Sequence, residues 1–140
     1  MQRRLYAVAA VAALSPLTGC GHPKYDAFEV TDHENPALTF RFSAADATSA
    51  SPVIISVPGR ELTPGDGSHR LSLQKYWVAT HAPKGASFVA FGSAMCNVKR
   101  QGEFPGCDVM IVKAPGRDEQ LEYYFYDGNW PEFKKLGGAD

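Results

Sequence analysis

Residues 121–130 read LEYYFYDGNW, and the parity of the first six decides what kind of fold this is. Leu121, Tyr123 and Phe125 alternate with Glu122, Tyr124 and Tyr126. Side chains two apart lie on one face of a strand, so the first set belongs in a core and the second shares the opposite face with Glu122, open to solvent or covered in its turn. Asp127-Gly128 then reads as a hairpin turn, because both residues tolerate positive φ. Trp130-Pro131-Glu132-Phe133 leads to a short final element.

The chain upstream follows the same grammar. Leu38, Phe40 and Phe42 alternate with Thr39, Arg41 and Ser43, a half-buried strand. Residues 44–51 (AADATSAS) form a loop or one helical turn. Val53 to Val57 (VIISV) is an apolar run between Pro52 and Pro58, and its β-branched residues predict a buried strand. Pro64-Gly65-Asp66-Gly67 is turn chemistry. Leu71 and Leu73 alternate, then Tyr76 and Val78 take the opposite parity around Trp77, which reads as a bulged strand. Ser87 to Met95 (SFVAFGSAM) is apolar on both parities, and Asp108 to Lys113 (DVMIVK) is another short strand. VIISVPGREL (53–62) and VMIVKAPGRDEQL (109–121) resemble each other, as two turns built alike on Pro-Gly. Prolines recur too often for ordinary helices, and no long 3.6-residue period stands out. The expected fold is mainly β: a small antiparallel β-sandwich or barrel of about six or seven strands.

The first twenty residues differ in kind. Arg3 and Arg4 precede an unbroken apolar run, Leu5 to Leu14, and Leu17-Thr18-Gly19-Cys20 follows Ser15-Pro16. The run is about half the roughly 20 apolar residues that a membrane-spanning helix needs. A basic start, a short apolar centre and small residues at the end make a secretory signal. The segment resembles a bacterial lipoprotein precursor, with residues 17–20 as the lipobox. That resemblance implies cleavage between Gly19 and Cys20, and lipid attachment to the Cys20 thiol. Each buried CH₂ contributes about 0.8 kcal/mol, so two or three acyl chains such as palmitate anchor stably where one does not. Gly21, where a retained lipoprotein of the enteric type carries aspartate, implies the outer membrane rather than the inner. The resulting division is 1–19 signal peptide, 20–27 lipidated tether, 28–136 β-rich domain and 137–140 C-terminal tail.

Export sets the state of the cysteines. Cys96 and Cys107 remain in the mature chain, and an oxidising compartment closes such a pair. There is no CxxC spacing and no histidine close in sequence to support a redox or metal site. Loss of Arg3 and Arg4 leaves 12 of the 14 Lys and Arg against 15 Asp and Glu, a net charge near −3. Nothing here suits nucleic acid.

Chemistry-bearing motifs are few. Asp32-His33-Glu34 sits before Asn35-Pro36, with His22 and Asp26 upstream. Adjacent strand residues point to opposite faces, so this is read as a solvated loop and no metal is expected. His69 and His81 read as surface histidines flanking the strand 71–78. Phe91-Gly92-Ser93-Ala94-Met95 lacks the second glycine of a GxSxG elbow. No catalytic residue and no cofactor are assigned. Tyr124, Tyr126 and Trp130 are the candidate partner surface, since exposed Tyr and Trp suit recognition; the simpler reading is a strand covered on both faces, or tyrosines in cross-strand pairs. The expected function is a membrane-anchored cell-envelope lipoprotein acting as a non-enzymatic binding module, with a protein partner in the envelope. An inhibitor or immunity-type lipoprotein that blocks an envelope-attacking hydrolase is the alternative, and an envelope enzyme the second alternative.

Overall fold

The structure, a computed structural model, describes residues 6–8, 24–98 and 102–137, with side chains over 24–98 and 102–134. Seven strands among these residues form two antiparallel sheets. The first is ordered β1 (Tyr6–Val8), β2 (Phe28–Asp32), β3 (Thr39–Phe42), β4 (Ile55–Ser56). The second is ordered β5 (Ser87–Met95), β6 (Gly106–Lys113), β7 (Gln120–Tyr126). The arrangement is sandwich-like and open, not a closed barrel, and it agrees with the expected mainly-β class. A parallel bridge between Val53 and Phe125 links the sheets, and Val53 N–H donates to Tyr124 O at 2.9 Å. That bridge covers the outer edge of β7.

Alternation explains β3 and β7. Phe40 and Phe42 are fully buried while Arg41 is exposed. Tyr123 and Phe125 join them in the core. Phe28–Asp32 is a strand that the apolar pattern did not reveal, because Glu29, Thr31 and Asp32 dilute it. Tyr25, assigned to the tether, already belongs to the folded unit: it bridges Ala45 and meets Trp77 edge-on at 4.9 Å. β1 lies in the segment read as a removable signal, so cleavage after Gly19 would leave β2 at the sheet edge.

The largest correction concerns residues 64–81. They are helical: a 3-10 segment, Pro64–His69, runs into α1, Arg70–His81. Pro64 suits the first helical turn, and the Asp66 carboxylate accepts from Thr63 N–H at 2.7 Å, half of a capping box. The buried set in α1 is Leu73, Gln74, Trp77 and Val78, the spacing of one helical stripe. Leu71, which suggested strand alternation, is exposed. Gln74 occupies a core position, so an apolar count misses the stripe. Trp77 sits at the centre of the core, edge-on to Tyr123 and Phe125 at 5.5 Å each and stacked on His81 at 4.2 Å.

Asp127-Gly128 does not close a hairpin. Trp130 N–H donates to Asp127 O, and a second helix, α2 (Pro131–Gly137), follows. Pro131 is tolerated there because a first-turn proline has no N–H to lose. Between β5 and β6 the chain turns back, and Cys96 and Cys107 form the expected disulfide with Cα atoms 5.7 Å apart.

Candidate functional site

The register of β5 on β6 builds the most distinctive surface. Phe88 opposes Val112, Phe91 opposes Met110, Ser93 opposes Asp108 and Met95 opposes Gly106. Opposed residues point to one side, so the large β5 side chains share the face of the core but lie beyond it. Phe88, Phe91 and Met95 are 49%, 51% and 63% exposed. Ala90, Gly92 and Ala94 occupy the other face, and Val89 falls at the irregularity between Phe88 and Ala90. The strand carries no charge over nine residues. Among the described residues its outer edge makes no backbone hydrogen bond.

Beside this ledge lies a cleft of about 540 Å³. Its walls are Phe91 and Met95 from β5, with Phe104 and Phe133 opposite. Phe104 and Phe133 stack with ring centres 6.1 Å apart. The Phe104 ring also lies over Gly106, where any side chain would collide with it.

The cleft floor is ionic. Arg70, the first residue of α1, bonds Asp108 of β6 through Nη1 and donates from Nε to Glu132 of α2 at 2.8 Å. Its guanidinium carbon is 5.0 Å from the Phe133 ring centre. Gln74 donates to the same Asp108 oxygen at 2.7 Å. Asp127, only 2% exposed, closes the cluster with Oδ1 at 3.6 Å from Arg70 Nη1, and that oxygen accepts no hydrogen bond. Burial, and then the neighbouring Asp108, push the Asp127 carboxyl up to about 9. The raised carboxyl makes Asp127 the group of this cluster that most readily keeps a proton, beside the bonds that Arg70 makes to Asp108 and Glu132.

A second cleft, about 550 Å³, lies by Tyr25, His81 and Tyr123. Burial raises Tyr123 to about 12 and lowers His81. His81 is half-buried among aromatic rings, and His69 is buried, 3.8 Å from Asp32 Oδ2. Neither is the surface histidine expected. Asp32 is likewise buried at the end of β2, while His33 and Glu34 are exposed. Among the described residues, no group of three His, Cys, Asp or Glu is placed to hold a metal ion.

The candidate partner surface needs correction. Trp130 and Tyr126 are 0% and 1% exposed. Trp130 packs in the main core, and Tyr126 packs against the disulfide and donates to Glu103 at 2.6 Å. Tyr124 alone is partly exposed, bonded to Glu122 at 3.0 Å. Both faces of β7 are covered at its C-terminal end. The exposed aromatics are instead on β5, which as a sequence gave only an apolar run on both parities. Its lack of any charge was the available signal.

Arg3, Arg4, the lipobox residues Leu17 to Cys20, Gly21 and His22 lie outside the described residues. No helix among the described residues is long and apolar enough to cross a membrane. Comparison with family models, with curated proteins and with solved structures finds no match to this chain.

Proposed function

We propose that this chain is a membrane-anchored cell-envelope lipoprotein, held by lipid on Cys20 and favouring the outer membrane, that acts as a non-enzymatic binding module. The contact surface is the β5 ledge with its adjoining cleft. The observation that carries this reading is the set Phe88, Phe91 and Met95, 49–63% exposed on one face of a charge-free strand. Contiguous exposed apolar side chains beside a polar rim are the usual mark of an interaction site. A long, uncharged edge strand also invites pairing unless something covers it. The lipid anchor reading rests on the sequence of residues 1–20, where the basic start, short apolar run and LTGC agree.

The test is affinity purification of the full chain from its own envelope. Phe91→Ser with Met95→Ser should lose the captured partner. Leu71→Ser, exposed on α1, should keep it. If the double variant captures the same protein in equal amount, the ledge is not the contact surface. Capture of a single hydrolase, with its activity suppressed, would favour the inhibitor or immunity-type alternative. In parallel, Cys20→Ser should abolish acyl labelling, and unchanged labelling would remove the lipid anchor.

A further inference from the structure

We propose that the cleft beside β5 seats a basic side chain, lysine or arginine, of the partner protein, its alkyl stem on Phe91, Met95 and Phe133 and its charge facing Asp108, Asp127 and Glu132. This inference deepens the interaction reading above and rests on it.

Two separate observations lead to it. The first is the charge balance of the floor. Among the described residues, Arg70 from α1 is the one cation that the structure places against Asp108 from β6, Asp127 after β7 and Glu132 from α2. Arg70 is itself only 16% exposed and committed to these carboxyls, so it offers little to an incoming anion. Glu132, bonded to Arg70 Nε, has a side chain 41% exposed. The second observation is Asp127, which lines the cleft while its buried Oδ1 accepts no hydrogen bond. That oxygen has Arg70 Nη1 at 3.6 Å but no hydrogen bond, and a donor brought by a ligand would satisfy it. Above the floor the walls are apolar and aromatic. Basic side chains bury an alkyl stem on such walls and keep the charge at the end.

A phospholipid amine offers the same ammonium, but its phosphate would sit beside Glu132 and Asp108. Like charges there disfavour the headgroup. A protein side chain brings the cation without the phosphate.

Seating a cation near Asp127 favours its ionised form. The bound state then releases a proton that the free state keeps up to about pH 9. The groups facing Asp127 are Asp108, Arg70 and Glu132, and an alkylammonium stays protonated through this range. Affinity therefore rises with pH from neutrality towards 9.

The probes are n-hexylammonium, n-hexanol and n-hexanoate, titrated into the full chain and followed by calorimetry and chemical shifts at the cleft. Hexylammonium should bind at least tenfold tighter than hexanol, with hexanoate weakest. Its affinity should rise between pH 7 and 9. Glu132→Gln should weaken it about three- to tenfold, and Asp127→Asn should remove the pH rise while the melting curve stays cooperative. Equal binding of hexanol and hexylammonium, or preference for hexanoate, overturns the proposal. So does a pH rise that survives in Asp127→Asn. Phosphatidylethanolamine vesicles that bind Cys20→Ser protein and are displaced by hexylammonium would make the occupant a lipid, which also overturns it. If partner capture still needs Phe91 and Met95 while hexylammonium fails, the cation seat falls and the interaction surface stands.

Discussion

Arg70 Nη1 lies 3.6 Å from Asp127 Oδ1 while the same nitrogen bonds Asp108. One guanidinium thus serves two buried carboxyls, one at the start of β6 and one just after β7, which lie side by side in the antiparallel pair. Burial and the neighbouring Asp108 raise the Asp127 carboxyl, which favours its protonated form.

Stability should therefore fall as pH rises from about 4 to about 9. Over that window the folded chain holds a proton on Asp127 that the unfolded chain has lost, so unfolding is favoured by raising pH. Asp127→Asn should flatten this slope and be the more stable form relative to wild type at pH 9. Urea midpoints at pH 5, 7 and 9 measure it. Parallel slopes for the two proteins would contradict the assignment.

At the acid end Asp66 acts in the opposite sense. Arg60, bonded to it at 2.7 Å, lowers its carboxyl to about 2, aided by Thr63. The stabilisation is complete above about pH 4 and is lost as pH falls towards 2. Arg60 is exposed, so water screens the pair. Asp66→Asn should be less stable than wild type at pH 6 and show a shallower acid transition, read from urea midpoints.

The two faces of β7 should respond differently to truncation. Phe125→Ala opens a cavity beside Trp77 and should cost about 3–5 kcal/mol. Trp130→Ala should cost a similar amount, since its ring is in the same core. Tyr124→Ala removes a partly exposed ring and one hydrogen bond, for about 1 kcal/mol. Melting curves rank the three, and a Tyr124 variant as damaged as Phe125→Ala would mean a fully covered strand.

The Cys96–Cys107 bond closes a short loop across the β5–β6 turn. Replacing both by serine should lower stability by about 3 kcal/mol, on the loop-entropy relation. Neither thiol should react with a maleimide until the protein is reduced. Because Tyr126 packs on the bridge, near-ultraviolet dichroism should change on reduction.

Legibility followed the periodicities. β3 and β7 were readable because their faces differ and period two survives. The disulfide was readable because only two cysteines, Cys96 and Cys107, follow the N-terminal segment and leave one pairing. α1 was not readable because Gln74 stands in its buried stripe and Leu71 outside it, so the apolar residues imitate a strand. The ionic cleft was not readable either. Its residues, Arg70, Asp108, Asp127 and Glu132, span 62 positions and form no local motif.

By itself the sequence determined the mainly-β class, the disulfide pairing and the expectation of a lipidated N-terminus, all consequences of local pattern or of cysteine count. Only the tertiary structure decided which aromatic residues meet water. Alternation assigns a residue to a face of its strand, but burial depends on what lies against that face. On β7 the Val53 bridge, the disulfide and the core cover Tyr126 and Phe125 from both sides. On β5 the sheet ends, nothing among the described residues packs on its far edge, and Phe88, Phe91 and Met95 are left standing in solvent.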